Sequence, residues 1–383
     1  MTKSRKNTAF LAASALIAIL AVIFVLFSAK PAYAGTVKPS GKTGGYTDKT
    51  NIQRELDKHG SVTLVKGKTY YTDGPIHISS NKTINANGAT IICRKTVMFN
   101  IPTKTGYKSI ENFTLDGGTW KYYGSNGYSG SSIKIIHGKN IVIKNATIRH
   151  AHASGHTIEL VACKNVKIIK CNIAPLGSSN SQTEEAIQLD VATHSTAYFL
   201  ESKPFKTSLA KTLQNGATCK KVTIKNCTIV GNRGVVANYT RKEGGKYLGK
   251  LHSGVVLKNN KITGLKGEGV SLFNTKSATV KNNTIISRAS GSGSAYTIGL
   301  HFACFGSNSK LKKGKITVTG NTVKGGRQAM QIYSHTSSKY GTVTIKNNKL
   351  YCKKGKNAAL KVSSAQCLSL SRINNSYNGW NGK

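Results

Sequence analysis

One short alternation of apolar and polar positions, Val222-Thr-Ile-Lys-Asn-Cys-Thr-Ile229, returns along more than half of the chain. Aligned on its two flanking aliphatics it occurs at Ile143–Ile148, Ile168–Ile173, Ile224–Ile229, Leu257–Ile262, Val280–Ile285, Val318–Val323 and Ile345–Leu350. β-Branched residues dominate each copy, and Asn or Gly breaks the alternation, which predicts short strands separated by tight turns. The steps between copies are 25, 56, 33, 23, 38 and 27 residues. The short steps suit single coils of a parallel β-helix, and the long ones suit coils that carry inserts. The fourth position reads Ala146, Cys171, Cys227, Asn260, Asn283, Asn321, Asn348. Stacked coils place like residues above one another, so the amides are expected to hydrogen-bond along a column. The expected class is therefore all-β, a solenoid of about ten coils.

A second strand follows the phrase in most coils. Ile158-Glu159-Leu160, Ile187-Gln188-Leu189, Val235-Val236-Ala237, Val270-Ser271-Leu272, Ile298-Gly299-Leu300 and Met330-Gln331-Ile332 align as inward, outward, inward. The outward column then reads Glu159, Gln188, Val236, Ser271, Gly299, Gln331, and two residues later Val161, Asp190, Asn238, Phe273, His301, Tyr333. Glu159, Gln188 and Asp190 are expected on one exposed face, with His156 beside them.

Residues 1–34 stand apart from this pattern. Lys3, Arg5 and Lys6 precede the apolar run Ala9–Ser28, and Ala32-Tyr33-Ala34 has the small-x-small form of a signal-peptidase site. Export with cleavage after Ala34 is expected, an uncleaved membrane anchor being the alternative. Residues 35–383 are read as one β-helix domain, extracellular or wall-associated, and a monomer is expected. That part carries 52 Lys+Arg against 13 Asp+Glu, a net charge of +39. So large a field points to a polyanionic partner, an acidic polysaccharide or an anionic cell-wall polymer. Export and the lack of a nucleic-acid-binding motif argue against nucleic acid.

The eight cysteines permit disulfides in an exported chain, yet Cys163-Lys-Asn-Val-Lys-Ile-Ile-Lys-Cys171 and Cys219-Lys-Lys-Val-Thr-Ile-Lys-Asn-Cys227 repeat one another. Stacked thiols and bridges are both open. The absence of a Cys-x-x-Cys pair leaves a zinc ribbon unsupported.

An amphipathic helix is predicted over Thr50–Gly60, with Thr50 and Gln53 as a capping box and Ile52 and Leu56 on the buried face. It leads into Ser61-Val-Thr-Leu-Val, then Lys68-Thr-Tyr-Tyr-Thr-Asp-Gly-Pro-Ile-His-Ile and Lys82-Thr-Ile-Asn-Ala-Asn-Gly-Ala-Thr-Ile91. This passage resembles the entry coils of the pectin lyase-like superfamily of right-handed parallel β-helices. Phe113-Thr-Leu-Asp-Gly-Gly-Thr-Trp120 resembles a strand-turn phrase of its polygalacturonase-type members. The resemblance spans residues 48–365 and implies architecture more than reaction.

Against those glycoside hydrolases, Glu184-Glu185-Ala-Ile-Gln-Leu resembles the Asp-Asp-x-Ile-x-Ile passage that carries acid and base roles, which implies such roles for Glu184 and Glu185. Gly155-His156-Thr-Ile-Glu-Leu departs from the expected Asn-Thr-Asp, and Asn232-Arg233-Gly234 puts Arg233 where the family has histidine. The Arg-Ile-Lys motif has no counterpart, so the full polygalacturonase set is absent.

Acids are scarce, so Glu159, Glu184, Glu185 and Asp190 within two coils form the sharpest local signal. Strands about 4.8 Å apart and about 6.7 Å per residue pair put Glu159 and Asp190 near 8 Å between Cα atoms. That lies within the about 6.5–9.5 Å between acid and base in inverting glycosidases. Adjacent Glu184 and Glu185 are expected to raise one pKa. His150, His152, His156 and Glu159 offer a divalent-cation set, but imidazole acid–base chemistry at His156 is preferred and no cofactor is assigned. Inserts 194–218 and 241–252 are expected to wall a groove, with Tyr198, Phe199 and Tyr247 stacking on sugars beside Gln188 and Asn238. Three functions follow: a secreted hydrolase or lyase of acidic polysaccharide, a non-catalytic glycan-binding solenoid, and an adhesin-like structural protein, which the lack of a stalk or sorting tail disfavours. In a lyase, His156 is the base and Arg233 or a cation neutralises the uronate.

Overall fold

The computed structural model describes residues 35–94, 98–123, 130–151, 155–177, 184–203, 205–241 and 245–382. The leader and His152 lie outside these. Three parallel sheets of 12, 10 and 11 strands run the length of the chain, and each coil adds one strand to each sheet. One coil shows how: Lys220–Lys225 joins the 12-stranded first sheet, Thr228–Gly231 the 11-stranded second, and Arg233–Ala237 the 10-stranded third. The chain is thus a parallel β-helix. Among the described residues no helix is long and apolar enough to cross a membrane.

Register is set by the interior. One column of aliphatics, all fully buried, runs from Val62 and Ile84 through Leu115, Ile143, Ile168 and Ile224 to Leu257, Val280, Val318 and Ile345. A slip by one residue would turn this column outward, so burial fixes the alignment. Between the first and second sheets the chain turns on single residues with positive φ, among them Asn226, Asn259, Asn282 and Asn347. Asn tolerates this left-handed conformation better than other side chains, which explains the Asn that ends most of these strands, Lys170 and Gly320 taking the same turn in two others.

The next residue inward builds the expected column. The backbone N–H of Cys227 donates to Asn260 Oδ1 at 2.9 Å, Asn260 to Asn283 at 2.9 Å, Asn283 to Asn321 at 2.8 Å, Asn321 to Asn348 at 2.9 Å and Asn348 to Asn375 at 3.0 Å. Asn375 belongs to an eighth copy that the sequence pattern hides, because Arg372 stands opposite Ile345 at its aliphatic position. All eight cysteines are buried free thiols, and Cys163 and Cys171 receive Sγ contacts from Cys219 and Cys227 one coil on. The open choice between thiols and bridges is resolved for thiols.

The helix spans Thr47–His59 and packs its buried Ile52 and Leu56 against the first strands of the solenoid, with Gly60 as a left-handed C-cap. It starts one turn earlier than expected, and the Thr50–Gln53 capping box does not form. Gln53 instead donates to the His77 carbonyl at 3.0 Å and accepts from the His77 N–H at 2.9 Å, which ties the helix to the first coil. The 194–218 insert carries three short helical turns, and its Ala197, Leu200 and Leu213 form a second apolar cluster on Phe99, Ile136, Val161 and Ala162. The other insert holds a small antiparallel hairpin, Thr240–Arg241 with Tyr247–Leu248.

Asn283 Nδ2 also donates to the Leu257 carbonyl at 2.9 Å and to Asn321 Oδ1 at 2.9 Å. Asn283→Ala therefore orphans several buried groups at about 1–3 kcal/mol each and is expected to destabilise by about 3 kcal/mol or more. Asn282→Ala, at the exposed turn next to it, loses only the left-handed preference of about 1 kcal/mol. Denaturant unfolding of the two variants checks the ranking.

Candidate functional site

The outward face of the third sheet carries, in register, Lys134, Glu159, Gln188, Val236, Ser271, His301, Gln331 and Lys361. Here the structure corrects the alignment of one coil. His301, not Gly299, lies between Ser271 and Gln331, because that strand begins at Leu300, after a 3₁₀ turn over Ala295–Thr297. Gly299 lies in the approach to the strand, where a Cβ would sit 2.6 Å from the Lys324 carbonyl oxygen.

The site is a row of alternating charges along the helix axis. Lys134 Nζ lies 2.7 Å from Glu159, and Ser131 Oγ donates to the same carboxylate at 2.5 Å. His156 Nδ1 lies 2.8 Å from Glu185 Oε2, an ion pair rather than an aligned hydrogen bond. Glu185 Oε1 accepts from Arg233 Nη1 at 3.0 Å, Arg233 Nε donates to Glu268 at 3.0 Å, and Glu268 stands 3.3 Å from His301 Nδ1. Arg233 Nη2 donates to Ser271 Oγ at 3.1 Å, and Gln331 Nε2 is 3.3 Å from His301 Nε2. Glu159, Glu185, Arg233, Glu268 and His301 are all buried. Removing one member would leave its neighbour charged without a partner, a cost of about 3–5 kcal/mol.

These neighbours set the protonation states. Burial opposes ionisation of Glu268, but Arg233 and then His301 outweigh it and hold the carboxyl below its ordinary range. Glu159 is likewise buried, and Lys134 followed by His156 keeps it ionised. Burial works against the His156 cation, yet Glu185, then Glu159 and Asp190, raise its pKa to about 9. Asp190 is pushed up to about 6 by burial and by the Glu159 charge, and Gln188 Nε2 donates to it at 2.9 Å.

His156, Glu159 and Asp190 bring polar atoms within 4.8 Å of one another, so Glu159 and Asp190 share one pocket instead of flanking a water as an inverting pair. The face is also not exposed there. Glu159 and Asp190 are buried, and Lys134, beneath the Phe199 ring at 4.5 Å, covers Glu159. Lys134 supplies the positive charge that a divalent ion would bring. His150 takes no part, being stacked on Tyr122 and 2.7 Å from Ser132 Oγ. Glu184 leaves the row at the turn and accepts from Asn232 Nδ2 at 3.2 Å.

Past Glu185 the row opens into a cavity of about 760 Å³ lined by Gln188, Arg233, Asn238, Glu268, His301, Gln331, Arg327 and Lys361. Tyr239, Phe273, Tyr296, Phe305, Tyr333 and His335 supply an aromatic wall, with Tyr239 and Phe305 centroids 4.3 Å apart and Phe305 stacked on His335 at 4.5 Å. The expected sugar platforms lie elsewhere. Tyr198 is exposed on the 194–218 insert, and Phe199 packs on Phe99 at 4.9 Å, because that insert's apolar face covers the earlier coils. Tyr247 braces the wall from outside, 5.4 Å from Tyr239 and 5.2 Å from Phe305. Glu268 went unnoticed in sequence because Gly267-Glu268-Gly269 belongs to no repeated phrase, although its isolation among cations was a usable signal.

A family model described as the right handed beta helix region matches residues 191–350. The fold is that of a right-handed parallel β-helix. The surface protein and adhesin PfbA of Streptococcus pneumoniae superposes on this β-helix with a TM-score of 0.55 at 14% identity, over 90% of this chain and 99% of its own. The catalytic unit of a GH87 α-1,3-glucanase from Streptomyces thermodiastaticus gives 0.52 at 11% identity, over 92% and 70%. A family 28 exopolygalacturonase from Yersinia enterocolitica gives 0.41 at 11% identity, over 89% and 78%. No curated protein sequence matches the chain significantly.

A histidine raised in the folded state contributes stability that is full below its ordinary pKa of 6.5 and disappears as pH rises through about 9. The raised Asp190 loses its contribution as pH climbs through about 6, which leaves the higher window to His156. Thermal melts of the β-helix should therefore fall between pH 6.5 and 9, and His156→Gln should flatten that fall.

Proposed function

We propose that this β-helix acts on an acidic polysaccharide laid along the third sheet, and that it cleaves the chain by eliminating across a uronate ring held in the cavity. The observation that carries this reading is the contact between His301 and Glu268 on the wall of the cavity. In this scheme His301 donates from Nδ1 to Glu268, 3.3 Å away, and Nε2, 3.3 Å from Gln331 Nε2, is the nitrogen that takes a proton once substrate displaces the Gln331 amide. A carboxylate-oriented imidazole inside an aromatic-walled cavity is a general base in position. Arg327 and Lys361 line the same cavity, and neither meets a carboxylate among the described residues, so both can take the uronate carboxylate. Nε2 removes the proton on the carbon beside that carboxylate, the released electron pair forms a carbon–carbon double bond, and the glycosidic C–O bond breaks with its oxygen protonated from water. Arg233, hydrogen-bonded to Glu185, Glu268 and Ser271, holds the two acids in place and touches no substrate in this scheme.

Ion pairing at both Glu185 and Glu268 favours a second reading, a glycan-binding groove without turnover. It also disfavours hydrolysis, because the carboxyl group with the raised pKa, Asp190, lies beneath the row and not on the cavity wall. The apolar run that follows the basic N-terminus supports action outside the cell.

Incubation with a panel of pectic, alginate-like and glycosaminoglycan polymers tests the reading. New ultraviolet absorbance from an unsaturated uronate is expected, with His301→Asn lowering turnover about 10²–10⁴-fold while polymer affinity is nearly unchanged. Reducing ends without that absorbance would mean hydrolysis. Binding with neither signal would leave the non-catalytic groove.

A further inference from the structure

Every Asp and Glu of the chain lies at or before Glu268, so the coils formed after it contain cations and no acids. The lysines that lead into and through these coils are not scattered. On the corner between the first and second sheets, Lys225, Lys258 and Lys281 are consecutive partners across neighbouring strands, and the column continues through Thr319 to Lys346. Across the one-residue turn, Lys261 and Lys349 flank it from the second sheet, with Thr284 and Thr322 between them. Five coils at about 4.8 Å make a ridge about 19 Å long. No carboxylate meets these lysines among the described residues. In earlier coils the first sheet neutralises itself, for Lys139 pairs with Glu111 and Lys144 with Asp116, each at 2.9 Å.

Protection against edge pairing does not account for the ridge, because these strands are paired on both sides. Solubility does not either, since mixed charges serve it without stacking like charges one strand apart. Charges stacked at the strand spacing repel one another, and a partner of opposite sign at a matching repeat relieves that repulsion. A linear polyuronate fits: it is extended, carries one carboxylate per sugar, and advances by about one strand spacing per sugar. The threonine hydroxyls between the lysines suit the hydroxyls of such a chain.

We propose that this corner is a second polysaccharide site, which tethers a long polyuronate along the later coils while the cavity on the third sheet engages another part of it. The proposal rests on the acidic-polysaccharide reading for its ligand and not on turnover.

The test replaces Lys258, Lys261, Lys281, Lys346 and Lys349 by Gln in the full chain and titrates polygalacturonate at low and high salt. A control changes five other exposed lysines, Lys42, Lys66, Lys68, Lys104 and Lys108, to give the same net charge. The ridge variant is expected to bind about tenfold or more weakly at low salt and to show a flatter salt dependence, while the control changes less than about threefold. Turnover of a short oligouronate should be the same in the ridge variant and the wild type. Salt-sensitive binding through the ridge with no turnover by any form supports the tether and overturns only the catalytic reading. Wild-type affinity in the ridge variant, an equal loss in the control, or loss of double-stranded DNA binding with polygalacturonate binding intact would overturn the tether.

Discussion

In-register stacking of parallel coils is the constraint from which the rest follows. Each buried aliphatic sits on the same residue of the coil before it, so any change of register would expose a whole column. The same rule acts outside the core. It stacks Asn amides at one corner, lysines on its outer side, and polar side chains along the third sheet. A globular fold would have to assemble such rows from scattered segments, whereas a solenoid makes them by repeating one short phrase.

Stacking also explains why the buried charges hold together. Lys134 pairs with Glu159, and His156, Glu185, Arg233, Glu268 and His301 each lie within ion-pair distance of the next. Polar atoms of Glu159 and His156 lie within 4.8 Å of one another, and their charges stabilise one another. Isolated burial of any one of these groups would be costly, and pairing along a rigid sheet removes most of that cost. Side chains fixed this way need little rearrangement when a ligand arrives, which is the form that preorganised electrostatics takes. The wall of Tyr239, Phe273 and Phe305 keeps water from part of the row, so its charges interact more strongly than at an open surface.

Much of this was legible in the chain because repetition can be read without coordinates. The seven phrase copies, the core columns and the neighbourhood of His156, Glu159, Glu185, Gln188 and Arg233 all follow from aligning coils. What failed to read were places where a coil departs from the repeat. The 3₁₀ turn at Ala295–Thr297 moved the next strand by two residues and hid His301 in the wrong row. Arg372 at an aliphatic position hid the last phrase, and Glu268 sat between two glycines with no neighbour to align against. Tyr198 and Phe199 were misplaced because sequence gives the length of an insert and not the direction in which its apolar face folds.

The asparagine column has a direction. Every backbone N–H from Cys227 to Asn348 reaches the Oδ1 of the coil that follows, so each coil offers the same acceptor to its predecessor and the same donor to its successor. Upper and lower surfaces of a coil are therefore interchangeable parts. A gene that duplicates or loses one turn restores the same contact at the joint, and the length of the molecule becomes adjustable without redesigning its interior.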